Sequence, residues 1–174
     1  MSKPPIFIVG VQRSGTTLLA ALLAAHSRLS CGPETHFFRW LAQTEPDLLC
    51  AEEVWPETAV SFLNRINHTN YKGEGKRPLL AKYGLSESDV AAYLQNKRPS
   101  VAAVLAAVTE PYMHHVGKQR WVEKTPDHIE YLPLIRTHFP DSPIIYIVRD
   151  PRDVALSLMK VPWGATSLLE GLFY

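Results

Sequence analysis

The stretch that most constrains this chain is Gly10-Val11-Gln12-Arg13-Ser14-Gly15-Thr16-Thr17. It lies between an apolar run, Pro5-Ile6-Phe7-Ile8-Val9, and a helix-forming run, Leu18-Leu19-Ala20-Ala21-Leu22-Leu23-Ala24-Ala25. An apolar run, a glycine-bounded turn and a helix in that order make a strand–loop–helix unit. The two glycines and the hydroxyls after them have the spacing of a phosphate-binding loop. In such a loop successive backbone N–H groups and the first turn of the helix surround an anion. Thr16 stands where a nucleotide triphosphatase carries the lysine that reaches the β- and γ-phosphates, which argues against ATP or GTP hydrolysis. The cation has moved inside the loop, to Arg13. A guanidinium there can hold a phosphate or sulfonyl oxygen through two charge-assisted bonds, each contributing roughly 1.5–3 kcal/mol. The loop reads as an anion cradle that needs no metal.

Composition narrows the partners. The 174 residues have the length of one domain, spanning 1–174, and a domain of that size buries roughly 70% of its unfolded surface. A net charge of +1 leaves no basic excess for a polyanion, so nucleic acid is not an expected partner. No run approaches the roughly 20 apolar residues of a membrane span. The first apolar run enters the glycine loop directly and lacks the form of a signal peptide. Cys31 and Cys50 read as reduced thiols rather than a disulfide framework or a metal pair. The expected location is the cytoplasm.

Along the chain, a short strand is expected within Leu29 to Cys31. After Glu34-Thr35-His36, residues Phe37, Phe38, Trp40 and Leu41 have the spacing of a helix with one buried face. Helices are predicted near Glu57 to Ile66 and Ser86 to Asn96, the second opened by a Ser86/Asp89 capping box. Between them, Asn67 to Lys82, with Gly73, Gly75 and Pro78, reads as an exposed loop. Pro99 precedes a helix over Ser100 to Thr109 that Pro111 should kink or end. His114 and His115 are adjacent, face different ways on a helix and make poor metal partners. Arg120 to Glu123 is a short strand, after which Thr125 caps and Pro126 starts a helix running to His138. The unbroken apolar run Pro143 to Val148 suits a parallel strand buried on both faces, and Asp150-Pro151 open a helix through Lys160. This alternation predicts an α/β fold, a three-layer P-loop-like domain whose central parallel sheet is flanked by helices. Ligands should gather at the strands' C-terminal ends, where Arg13 to Thr17, Lys124-Thr125 and Arg149 to Asp153 fall.

Two segments taken together, Pro5 to Leu19 and Ile145-Tyr146-Ile147-Val148-Arg149-Asp150-Pro151-Arg152-Asp153-Val154-Ala155-Leu156-Ser157, resemble the sulfotransferases that use 3′-phosphoadenosine-5′-phosphosulfate. The resemblance spans most of the chain and matches the middle weakly. It implies that Arg13, Ser14, Gly15, Thr16 and Thr17 bind the 5′-phosphosulfate, and that Arg149 and Ser157 bind the 3′-phosphate. Cys31-Gly32-Pro33-Glu34-Thr35 looks closest to the protein-tyrosine sulfotransferase branch and its bacterial relatives, which makes Glu34 the catalytic base. Lys124 matches the lysine that, with Arg13, steadies the transferring group. The chemistry asks for those groups independently: the acceptor proton must leave, and charge builds on the departing phosphate oxygen. Neighbouring cations weaken Glu34 as a base while burial strengthens it, and sequence leaves the balance open.

The expected partners are the small-molecule nucleotide donor and a hydroxyl acceptor, with no metal. Phe37, Phe38, Trp40 and Tyr71 fit either an acceptor pocket or an ordinary core. Family members continue through further helices and a glycine- and basic-residue-containing segment, so the chain reads as a domain incomplete at its C-terminus. Two other readings remain at this point: a P-loop small-molecule kinase using Mg²⁺, and a nucleotide-binding module inactive through truncation.

Overall fold

The structure is a computed structural model that describes residues 3–69 and 76–173. Strand β1 (Ile6–Gly10) is followed by helix α1 (Thr16–Ala24) and strand β2 (Leu29–Cys31). A mostly helical segment comes next: α2 (Phe37–Leu41), α3 (Pro46–Leu49), α4 (Glu57–Arg65), the hairpin strands β3 (Asn67–Thr69) and β4 (Lys76–Pro78), α5 (Leu79–Tyr83), α6 (Glu87–Leu94) and α7 (Val101–His115). The chain then returns to the sheet as β5 (Arg120–Lys124). It continues through a 3-10 turn (Pro126–Tyr131), α8 (Leu132–His138), β6 (Ile144–Ile147), α9 (Pro151–Leu158) and α10 (Leu168–Leu172).

The four long-range strands form one parallel sheet in the order β2-β5-β1-β6. Because side chains alternate along a strand, β1 feeds two cores. Ile6 and Ile8 pack with Ala20 of α1 and Val122 of β5 on one face. Phe7 and Val9 face the larger cluster on the other side, with Phe37, Phe38, Leu105, Trp121, Ile135 and Phe139. Phe7 meets Phe38, Trp121 and Phe139 edge-on, with ring centroids 5.9, 6.0 and 5.1 Å apart. Helices therefore cover both faces, and the three-layer α/β architecture stands.

Several local expectations change. β6 is an edge strand and only half-buried, with Tyr146 exposed, since it pairs with β1 alone. Asn67 to Lys82 includes an antiparallel hairpin and the start of α5, whose Leu79 and Leu80 are buried; Gly73 and Gly75 lie outside the described residues. α7 runs through Pro111 to His115, because a proline removes one donor yet the turns on either side bury Val108 and Met113. The helix expected over 126–138 is split into a 3-10 turn and α8, since Pro133 cannot donate in a continuous helix. The capping box at Ser86 and Asp89 is formed, and the Asp150 side chain accepts from Arg152 N–H at the start of α9. Both cysteines are free thiols. Among the described residues no helix is long and apolar enough to cross a membrane.

Candidate active site

The loop after β1 is shaped by three unusual backbone positions. Gly10 has φ 151°, and a β-carbon there would lie 2.6 Å from the Ile147 carbonyl oxygen, so only glycine lets β1 run this close to β6. Arg13 (φ 68°) and Gly15 (φ 101°) are left-handed. That conformation costs a residue with a β-carbon on the order of 1–3 kcal/mol. Arg13 is held in it from two sides: Arg149 Nη1 donates to its carbonyl at 3.1 Å, and its own Nε donates to Ser157 Oγ at 3.1 Å. No side chain caps α1. The opening N–H groups of a helix have no intrahelical acceptor, and with the helix dipole they favour an anion. Ser14 and Thr16 are buried beneath the loop while Arg13, Gly15 and Thr17 are exposed on it.

Alternation along β5 places Val122 and Lys124 on the α1 face, in register with Ile6 and Ile8. Lys124 Nζ accordingly reaches Thr17 Oγ1 at 3.4 Å, and it forms an ion pair with Glu34 Oε1. Glu34 lies between β2 and α2. Its other oxygen is 3.3 Å from His36 Nε2, and His36 Nδ1 is 3.9 Å from Asp127 Oδ2. Asp127 accepts in turn from Gln12 Nε2 at 2.9 Å. One chain of polar groups thus joins the loop after β1 to the ends of β2 and β5. Burial pushes the Glu34 carboxyl up, but the hydrogen bond from His36 and the charge and hydrogen bond of Lys124 outweigh it and bring it to about 2. The cations win the contest that sequence left open.

Behind this pair lies a second carboxylate, Glu123, on the same face of β5 as Trp121 and almost completely buried. Thr35 Oγ1 and Thr125 Oγ1 donate to its Oε1 at 2.8 and 2.6 Å, and His128 Nδ1 lies 2.8 Å from its Oε2. Burial pushes this carboxyl up as well, and His128 and the two hydroxyls hold it below its ordinary value. Thr125, expected from sequence to cap the turn after it, does not do so; its hydroxyl accepts instead from the backbone N–H groups of Thr35 and His36.

The residues expected from sequence to bind the donor or act on it fall within this arrangement. Arg13, Arg149 and Ser157 form one cluster beside Ser14 and Gly15, and Lys124 joins Glu34 to Thr17 of the α1 turn that begins at Thr16. Gln12, His36, Asp127 and Glu123 were missed. Glu123 had a signal: a lone charge in register with Trp121 on a central strand points into the core and must be paired there. Phe37 and Phe38 are fully buried and belong to the core rather than to a pocket wall; Trp40 packs against that core, and Tyr71 lies outside the described residues.

Comparison with known proteins adds an independent finding. The model of the sulfotransferase family matches residues 4–169. The chain is 30% identical over 165 residues to the nodulation protein NoeE of Sinorhizobium fredii, covering 94% of this chain and 33% of that protein. It is 28% identical over 149 residues to protein-tyrosine sulfotransferase 2 of Gallus gallus, covering 86% and 32% respectively. The chain therefore spans about a third of the length of these relatives. Among solved structures, the sulfotransferase domain from the curacin biosynthetic pathway superimposes with a TM-score of 0.54 at 23% identity, covering 92% of this chain and 52% of that one. The sulfotransferase domain from the Synechococcus PCC 7002 olefin synthase gives 0.52 at 21% identity, covering 91% and 53%. At those identities the structural likeness speaks for the fold.

Proposed function

The chain belongs to the sulfotransferase family, and from that premise we propose that it moves a sulfonate group from 3′-phosphoadenosine-5′-phosphosulfate to a hydroxyl acceptor. The observation that carries the reading is the meeting, on one loop, of the Arg13–Arg149–Ser157 cluster with the Glu34–Lys124 pair on Thr17.

In this reading the loop 10–17 and the start of α1 hold the 5′ end of the donor, and Arg149 and Ser157 hold its 3′-phosphate. The acceptor oxygen attacks sulfur, and the bond from sulfur to the bridging phosphate oxygen breaks. Its electron pair stays on that oxygen, and Lys124 and Arg13 stabilise the charge. The acceptor proton goes to Glu34. A carboxyl at about 2 is a weak base while the ammonium sits on it. As Lys124 turns to the departing oxygen, that pairing is given up and Glu34 is left free to take the proton. Lysine, arginine and backbone N–H groups supply the charge stabilisation without calling on a metal.

Calorimetric titration with adenosine 3′,5′-bisphosphate, beside ATP with and without Mg²⁺, tests the proposal. The bisphosphate should bind without metal. Arg13→Ala and Arg149→Ala should each weaken it about 10- to 100-fold, the equivalent of one lost charge-assisted contact. Glu34→Gln should bind the bisphosphate nearly as the parent does and lose most sulfonate transfer. Binding of Mg²⁺–ATP alone would instead make the chain a kinase, and full transfer by Glu34→Gln would remove it as the base.

A further inference from the structure

We infer that Glu123 is a positioning residue, which sets the Glu34 loop against Lys124 through the hydroxyls of Thr35 and Thr125. The inference deepens the sulfonate-transfer reading and rests on it for its kinetic readout.

The two working side chains come from segments far apart in sequence, and each sits beside one that Glu123 holds. Lys124 and Thr125 directly follow Glu123 on β5. Glu34 precedes Thr35, whose hydroxyl donates to Glu123 Oε1 at 2.8 Å and whose N–H lies 3.4 Å from the same oxygen. Thr125 Oγ1 spends its proton on Glu123 at 2.6 Å, which leaves its lone pairs free to accept from Thr35 N–H at 3.2 Å and His36 N–H at 3.3 Å. His128 closes the far side. Its Nε2 accepts from Phe38 N–H in the first turn of α2 at 3.4 Å, so Nδ1 carries the proton that meets Glu123 Oε2. One carboxylate therefore fixes the end of β5, the loop from β2 and the start of α2 together. It touches neither Lys124 Nζ nor the Glu34 carboxylate.

The other side of the same loop is braced independently. Tyr83 Oη donates to the Pro33 carbonyl at 2.6 Å, and a β-carbon on Gly32 would lie 2.6 Å from the Tyr83 ring. Glu34 stands between these two holds, on a segment free to shift only if one of them fails. A buried ion with all its partners in place is costly to assemble and costly to break, which suits a part whose purpose is fixed geometry.

Glu123→Gln changes one atom, yet whichever way its amide turns, the NH₂ faces a donor, either His128 Nδ1–H or the hydroxyls of Thr35 and Thr125, so one of these links must be given up or remade. Thr35→Val is gentler. It keeps the side-chain shape and removes the hydroxyl, which donates to Glu123 Oε1 and accepts from Phe37 N–H at 3.2 Å, while Thr35→Ser retains both links. Two measurements are made on the full chain. In the first, carbon-detected NMR follows the Glu34 carboxyl on acidification: in the parent and in Thr35→Ser it stays ionised well below the ordinary carboxylate range, and in Thr35→Val and Glu123→Gln it titrates higher. In the second, kcat for sulfonate transfer falls about 10- to 100-fold in Thr35→Val at little-changed acceptor KM, the size of effect a small misplacement produces. Thr35→Ser restores it. On a Glu34→Gln background Glu123→Gln adds little, because it acts through Glu34.

A Glu34 carboxyl that titrates alike in all four proteins overturns the inference, as does an unchanged kcat in Thr35→Val. If the carboxyl moves as stated but the parent transfers no sulfonate to any hydroxyl, Glu123 keeps its positioning role and the transfer reading is the one that fails.

Discussion

At the scale of the residue, Glu34 shows how much a sequence can say about a side chain and where it stops. Its place before Thr35 made it a candidate, but its proton affinity depends on groups brought to it by folding: His36 from the same loop and Lys124 from β5. Lys124 is 8% exposed and Glu34 26%, so the pair lies between a surface and a buried ion pair. Glu34→Gln should cost on the order of 1–3 kcal/mol near neutral pH, between the values for those two cases. The sign of its pH dependence follows. The folded carboxyl, at about 2, lies below its ordinary 4.5. Its ionised form therefore stabilises the fold fully above about 4.5, and the contribution is lost as pH falls through about 2. Urea unfolding of parent and Glu34→Gln should show a stability gap that is steady at neutral pH and narrows on acidification below about 4.5. A gap of constant size down to about pH 3 would mean that Lys124 and His36 do not hold the carboxyl down.

At the scale of the element, the strand–loop–helix of β1 and α1 was fully legible, because glycine spacing and apolar runs are local signals. The failures were non-local. An unbroken apolar run such as Pro143–Val148 looks the same at a sheet's centre and at its edge, and β6 has a partner on one side only. The hairpin at β3 and β4 has polar strands, so period and apolarity gave no warning of it. Glu123 was overlooked for a related reason: a carboxylate in a strand reads as solvent-facing until Trp121 is seen to fix which face is the core. Gly10 tests the element directly. Gly10→Ala puts a β-carbon 2.6 Å from the Ile147 carbonyl at φ 151°, so β1 and β6 must part. We expect a loss of about 1–3 kcal/mol, a fall of roughly 2–12 °C in melting temperature for a chain of this size, together with weakened bisphosphate binding. Gly15→Ala has open space around the new methyl and only the backbone strain at φ 101°, so it should cost less stability. A Gly10→Ala protein as stable as the parent would show that the close approach of β1 and β6 is not what requires glycine there.

At the scale of the whole molecule, the strand order β2-β5-β1-β6 decides what the site can be. In a parallel sheet every C-terminal end points the same way, so four separate loops deliver Arg13 to Thr17, Glu34, Lys124 and Arg149 to one edge. A ligand seated there would add contacts to segments already joined by the sheet, its two cores and the polar contacts between their loops. Binding to the folded chain alone must then raise its stability by mass action, by about 2.7 kcal/mol at one hundred times the dissociation constant. For a chain of this length that corresponds to a rise in melting temperature of about 5–11 °C. The rise should survive a chelator and shrink sharply in Arg149→Ala. On the proposed reading it should also shrink when adenosine 5′-monophosphate replaces the bisphosphate, since Arg149 and Ser157 are there assigned to the 3′-phosphate. A shift of equal size with the monophosphate would place the nucleotide on the loop 10–17 alone and leave the cluster beside Arg149 without a part in binding it.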